Sequence, residues 1–162
     1  THRIQIVCGA GAEYPLGETR FDAATCIGAS FVWGGYRPAL QALRQAVHLQ
    51  GRVGIGEPYW IRSDAPPEIR QKEPSFHLES ELLSIARAEG FDMEYVVRAS
   101  RDDWDRYEAD NWHGLVRWLE ANPHHPERNE VTTHLHKVQD DYFSFGREHF
   151  GWAMYALAPS LA

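Results

Sequence analysis

An α/β fold with parallel crossovers is what the sequence predicts, and three observations predict it. Short apolar runs stop at glycine turns, amphipathic stretches of helical period stand between them, and the two kinds of segment alternate along most of the chain. The 162 residues are 43% hydrophobic and 12% aromatic, which is enough to build one domain around a real core.

Each element follows from its residues. Residues 3–8 are an apolar-rich run ended by Gly9, Ala10 and Gly11, the pattern of a strand stopping at a glycine turn. After Pro15 and Gly17, the run Phe21–Ile27 is bounded by Gly28 and reads as a buried parallel strand. Residues 37–47 place Leu40, Leu43 and Val47 on one helical face, with Pro38 in the first turn and Gly51 shortly past the end. Residues 52–56 give a short strand closed by Glu57 and Pro58. Residues 63–75 hold three prolines and several charges with little periodicity, which predicts a loop or a short irregular helix.

Over residues 77–89, Leu78, Leu82, Ile85 and Ala86 share a helical face, and Gly90 with Phe91 has the form of a C-cap and its hydrophobic contact. Residues 92–99 alternate, with Met93, Tyr95 and Val97 on one side of a half-buried strand. Two helical patterns then interrupt the alternation. Trp104, Trp112, Leu115 and Leu119 mark the first, Val131, Leu135, Val138, Tyr142 and Phe145 the second, with residues 122–126 between them. They predict a helical insertion over residues 102–149, and residues 151–157 close the chain as an aromatic and apolar strand.

A formal net charge of −7 argues against a nucleic-acid surface, which needs a basic stripe to neutralise phosphates. Cys8 and Cys26 lack the spacing of a disulfide framework or a thiolate zinc site, so a reducing compartment is expected. No stretch approaches the roughly 20 apolar residues of a membrane helix. The expectation is a cytoplasmic protein with a small or neutral partner. The chain starts at Thr1 rather than Met, which suggests processing or a piece of something longer.

Several short motifs then carry a resemblance. Phe21-Asp22 opens a strand and Cys26-Ile27-Gly28-Ala29-Ser30 leaves it. An amphipathic helix follows, then Gly51-Arg52-Val53-Gly54-Ile55-Gly56-Glu57-Pro58, and a later helix runs into Gly90-Phe91. In type and order these residues resemble the C-terminal part of the class I S-adenosylmethionine-dependent methyltransferases. More narrowly, Gly56-Glu57-Pro58-Tyr59-Trp60, Asp102-Asp103-Trp104-Asp105-Arg106-Tyr107-Glu108 and Gly151-Trp152 are similar to a bacterial subgroup of uncharacterised methyltransferases.

The resemblance covers essentially the whole chain. It implies a Rossmann-like methyltransferase sheet of strand order 3-2-1-4-5-7-6, S-adenosylmethionine as cofactor, and a small-molecule methyl acceptor. The family's glycine-rich first turn and the acidic end of its second strand have no counterpart in these residues. The implied sheet is therefore incomplete, with the first two strands missing and a helical insertion before the last strand. The chain is expected to be a fragment of a longer polypeptide or a truncated gene product. Gly9-Ala10-Gly11-Ala12 stands where the family often has an adenine-binding carboxylate, which leaves backbone amides for that contact.

Carried onto these positions, the resemblance assigns Gly11, Ala12, Cys26, Ile27 and Gly28 to the cofactor side, and Ser30, Trp33, Tyr59, Trp60 and Trp112 to the acceptor. Small residues at a strand end also serve a tight turn, and the aromatic residues also serve as core. Glu57, just past a strand where open α/β sheets bind ligands, is the candidate that orients the acceptor or takes its proton. The plainer alternative is an exposed carboxylate beside a proline turn. His134 and His136 lie two apart and share no helical face, and His124-His125 sits in a proline-rich loop, so solvated histidines and no metal are expected. Two functions stay open: a methyltransferase of which this chain supplies the acceptor side, or a non-catalytic remnant or partner module.

Overall fold

Residues 3–160 are described by a computed structural model. In chain order the elements are β1 (Phe21–Ile27), α1 (Tyr36–Ala46), β2 (Val47–Trp60), α2 (Pro67–Arg70), β3 (His77–Leu78), α3 (Glu79–Ala88), β4 (Phe91–Arg98), α4 (Arg101–Ala121), α5 (Arg128–Asp141), a single π turn (Tyr142–Gly146), α6 (Arg147–His149) and β5 (Phe150–Pro159). The chain forms two units. The first holds the chain up to Glu57, Glu79–Val97 and the chain from Ala153 onward; the second holds Pro58–Leu78 and Arg98–Trp152.

The sheet runs in the order β1-β2-β5-β4. This matches 4-5-7-6 in the order that the resemblance implies, with the helical insertion between β4 and β5. The pairing of β1 with β2 is parallel, from Ala23 opposite Arg52 to Ile27 opposite Gly56. Helix α1 covers this part of the fold because Ala39, Leu40, Leu43 and Ala46 recur at helical spacing and are all buried. Val53 and Ile55 of β2, Leu82 of α3, Phe91 of β4 and Tyr155 and Leu157 of β5 complete the core. The Tyr155 hydroxyl donates to Glu79 at 3.1 Å.

Five local expectations are corrected. Residues 3–8 are not a strand: Ile4 and Ile6 are exposed, and no described residue offers the backbone pairing that a strand needs. The β1 strand forms but is not buried; it lies at the sheet edge, and only Cys26 along it is covered. The strand expected over residues 52–56 starts earlier. Ala46 passes directly into β2, and Gly51 sits in that strand at the register break between Phe21 and Ala23, where an added Cβ would come 3.0 Å from the Asp22 carbonyl oxygen.

The strand β2 does not stop at Glu57 and Pro58, because Tyr59 and Trp60 go on to pair with His77 and Leu78, which are strand rather than helix. In β4 burial is confined to its start: Phe91 is fully covered while Tyr95 is 68% exposed, so the expected half-buried face is absent.

In the second unit α4 begins at a capping box. The Ser100 hydroxyl accepts from the Asp103 N–H, and the Asp103 carboxylate accepts from the Ser100 N–H. Leu119 of α4 and Leu135 of α5 are buried, as the helical spacing requires. An aromatic cluster packs Trp60 against Phe76 and Phe150, with ring centroids 5.7 and 5.1 Å apart, and Phe145 against Phe150 at 5.6 Å.

Gly151 admits the Tyr59 ring, which would overlap any Cβ placed there. Replacing Gly151 by Ala is expected to lower stability by about 1–3 kcal/mol through overpacking. A urea melt checks this, and an unchanged midpoint would contradict the close Gly151–Tyr59 approach.

Candidate functional site

The first unit brings four polar side chains together where β1 ends beside β2, whose Gly56 pairs with Ile27. Gly28 leaves β1 with φ +62°, a backbone region that a residue with a Cβ rarely takes, and its N–H donates to the Gly56 carbonyl at 2.9 Å. A 3-10 turn, Ser30–Trp33, follows, closed by Gly35 N–H to the Ser30 carbonyl at 3.1 Å, and Tyr36 opens α1. The turn and the start of α1 carry two buried residues with hydroxyl groups, Ser30 and Tyr36. The Ser30 hydroxyl donates to Glu57 Oε2 at 3.1 Å.

Glu57 is 8% exposed, so it is not the surface carboxylate of the plainer alternative. Its second oxygen, Oε1, is buried without a hydrogen-bond partner, and so is the Tyr36 hydroxyl. Buried polar groups are normally satisfied, and two orphans in one cluster mark a place where a further group belongs.

Burial sets the protonation states. It pushes the Glu57 carboxyl up to about 7, although the Ser30 hydrogen bond pulls the other way. Burial, and then the Glu57 charge, raise Tyr36, so the phenol keeps its proton. The Cys26 thiol is raised by burial, against a lowering hydrogen bond at the Ala29 backbone, and further by Glu57. The cluster thus offers one carboxyl that changes charge near neutrality, beside a hydroxyl, a phenol and a thiol that stay protonated.

The remaining predicted residues fall as follows. Gly11 opens a short 3-10 turn, and a Cβ on it would lie 3.2 Å from Val32 and 4.0 Å from Trp33, so this turn packs on Ser30–Trp33. Ala12 and Ile27 are exposed, and Trp33 is half-buried.

In the second unit, Tyr59 forms part of the wall of a cavity of about 50 Å³, together with Trp104, Tyr142 and Arg147 of the insertion. Trp60 is 2% exposed and its indole N–H donates to the Phe76 carbonyl at 3.0 Å. Trp112 is half-buried, edge-on to Tyr142 at 5.4 Å, with its indole N–H buried and without an acceptor. Among the described residues no group of three or more His, Cys, Asp and Glu side chains could hold a metal ion, and no helix is long and apolar enough to cross a membrane.

Sequence reasoning missed Tyr36, although Gly34-Gly35 directly before a helix start was a signal for a shaped turn at this sheet end. It also missed the pairing of Asp105 with Arg147 and Tyr142. Separations of 42 and 37 residues leave no local signal.

No family model matches the chain. Three solved structures resemble it closely. A SAM-dependent methyltransferase from Geobacter sulfurreducens, in complex with S-adenosyl-L-homocysteine, is 32% identical with a TM-score of 0.86, over 97% of this chain and 65% of its own. A SAM-dependent methyltransferase from Thiobacillus denitrificans, also in complex with S-adenosyl-L-homocysteine, is 32% identical with a TM-score of 0.83, over 94% of this chain and 63% of its own.

The uncharacterized protein YjhP of Escherichia coli (strain K12) is 35% identical over 162 residues, 97% of this chain and 65% of its own length. The X-ray structure of YjhP matches with a TM-score of 0.85, over 93% of this chain and 63% of its own. The chain therefore spans a little less than two thirds of the length of these relatives. Its fold is that of the class I S-adenosylmethionine-dependent methyltransferases, and the resemblance carried by the residues is shown in sequence and in structure.

The raised Glu57 value fixes the sign of a stability effect. A carboxyl whose folded value lies above its usual 4.5 contributes stability that is complete below about 4.5 and lost as pH rises through about 7. Relative to Glu57→Gln, the natural chain is expected to weaken by up to about 3 kcal/mol between pH 4.5 and pH 9. Urea melts of both proteins across this range check it. A difference that does not change with pH would mean that Glu57 is solvated.

Proposed function

We propose that this chain is the acceptor side of an S-adenosylmethionine-dependent methyltransferase that methylates a small molecule. The observation that carries the reading is Glu57: a buried carboxyl with one unpartnered oxygen, in β2 next to the end of β1 in a methyltransferase fold, and open α/β sheets bind ligands at such strand ends. Two relatives at 32% identity are SAM-dependent methyltransferases in complex with S-adenosyl-L-homocysteine, which supports S-adenosylmethionine as the cofactor here.

The residues fit that group. The turn at Gly11 packs against Ser30–Trp33, and the space where a Cβ would stand on Gly28 is open. Gly11, Ala12, Cys26, Ile27 and Gly28 are thereby the residues that would hold it, Gly11 and Ala12 through backbone amides. When bound, S-adenosylmethionine supplies an electrophilic methyl group. The chain's own contribution is positioning, on which in-line displacement chiefly depends. Glu57 accepts a hydrogen bond or a proton from the acceptor, and its value of about 7 suits a proton acceptor at neutral pH. Ser30 fixes its carboxyl group from the other oxygen. In the first unit Ser30 and Trp33 are assigned to acceptor binding. A cytoplasmic setting suits two free cysteines, one of them exposed.

One observation favours the second reading, a partner module without catalysis: Ile4, Ile6 and Val7 stand exposed in sequence and call for a cover. Calorimetry separates the two. The 162-residue chain lacks the glycine-rich turn and the ribose-binding acid, so it is expected to bind S-adenosylmethionine more weakly than micromolar. A chain completed to the length of its relatives is expected to bind it; if neither binds, the partner reading stands. In the completed chain, Glu57→Gln is expected to lower turnover by ~10²-fold or more with little change in cofactor affinity. Unchanged turnover would remove Glu57 from the reaction.

A further inference from the structure

Between β2 and β3 the chain makes an excursion whose two ends are fixed. Tyr59 and Trp60 pair with His77 and Leu78, the Ile61 N–H donates to the His149 carbonyl at 2.9 Å, and the Trp60 indole N–H donates to the Phe76 carbonyl. Between these pins, among the described residues, the hydrogen bonds of residues 62–76 stay within the segment, with one exception. The N–H groups of Ile69, Arg70, Gln71, Lys72 and Phe76 donate to carbonyls three or four residues back, Arg62 holds Asp64, and Arg70 holds the Ser63 carbonyl. Pro66, Pro67 and Pro74 stiffen the segment further, since each fixes its own φ. A segment that satisfies its own backbone keeps its shape when it lifts from the surface beneath it.

The exception is Lys72. Its ammonium donates to Asp141 Oδ1 at 2.8 Å and stands 4.4 Å from the centre of the Phe145 ring. Asp141 does not depend on it, because Lys137 holds the other carboxylate oxygen at 2.6 Å and keeps the acid paired when Lys72 leaves. The Lys72 side chain is 49% exposed, so water takes its charge back at little cost. The other ties are small. Arg70 lies over the Trp60 ring at 5.6 Å, beside a pinned end, and Ala65 is the one buried residue of the segment.

The latch stands on a cavity of about 430 Å³ within the second unit, a volume in the range of small-molecule sites. Lys72 and Glu73 are in its wall, with Glu108 of α4, Val138 of α5, Phe145 of the π turn and Phe150 of β5. Lifting the segment on its two ends takes Lys72 and Glu73 out of that wall and uncovers the Phe145 ring.

We propose that residues 62–76 are a strap that opens and closes this cavity, with the pinned ends as hinges and Lys72 as the latch on Asp141 and Phe145. The device lies wholly within the second unit and does not depend on methyl transfer. Its two states differ chiefly in one exposed ion pair and one cation–π contact, which keeps the open state a minor but populated one.

The test is NMR on the 15N-labelled chain carrying 13C-lysine. The chain has two lysines, Lys72 and Lys137, so Lys137→Arg leaves the Lys72 ε-methylene as a single signal. That signal is expected upfield of a free lysine because of the Phe145 ring, and to move towards the free position as sodium chloride screens the ion pair. The non-proline amides of residues 64–75 are expected to exchange between two states at one common rate on the microsecond to millisecond scale, while those of His77 and Leu78 do not. Lys72→Met is expected to raise the open population about three- to tenfold, and Lys137→Met is not expected to raise it. The proposal is overturned if Lys72 resonates as a free lysine without added salt, if residues 64–75 show no common exchange, or if Lys72→Met leaves the open population unchanged.

Discussion

A carboxyl group taken out of water has to be met by the fold around it, and at Glu57 the fold meets only half of it. One oxygen receives the Ser30 hydroxyl and the other receives nothing. The geometry that allows this is a run of glycine-dependent turns: Gly28 at φ +62°, then Gly34 and Gly35 at +90° and +124°. They bend the chain from β1 back towards Glu57 of β2, so that Ser30 and Tyr36 come from one short segment. A side chain at Gly28, Gly34 or Gly35 would strain the turn that holds the cluster together. The site thus depends on backbone freedom at these positions as much as on the acid itself.

The same economy of local geometry governs the second unit, where the stakes are packing and charge pairing. Trp60 has both its ring and its N–H occupied, by Phe76 and Phe150 and by the Phe76 carbonyl. Trp104 stacks on Tyr107 with its centroid 5.6 Å away, yet its N–H is left without an acceptor. Two tryptophans of one unit therefore differ both in burial, Trp60 being buried and Trp104 half-buried, and in hydrogen-bond satisfaction. The π turn Tyr142–Gly146 contributes to this difference: it follows α5 directly and carries the tyrosine that bonds Asp105.

Exposure at the sheet edge separates fold from function. Phe21, Ile27 and Phe31 are open at or beside β1, and Ile4, Ile6 and Val7 lie open earlier in the chain. An uncovered strand edge and apolar side chains of this size are sites of association. The core under α1 is complete without that cover, since Leu40, Val53 and Ile55 are already closed from solvent. The catalytic reading and the partner reading thus draw on different surfaces of one fold.

Local pattern by itself determined the element types. The strand Phe21–Ile27 stands where an apolar run met Gly28, α3 ends at Gly90 with φ +78°, and α4 and α5 fall on the spacing of Leu119, Leu135 and Tyr142. These follow from side-chain period and from backbone preferences that act within a few residues. Glu57 was legible as a candidate although its strand runs on to Trp60, because its place next to the end of β1 follows from order along the chain.

Only the tertiary structure decided what each element pairs with. Residues 3–8 have the composition of a strand and no partner, while His77 and Leu78, read as helix, become strand by pairing with Tyr59 and Trp60. The buried state of Glu57, the orphaned phenol of Tyr36 and the Asp105–Arg147 pair likewise come from contacts between residues 21 to 42 apart, whose energies no local pattern encodes.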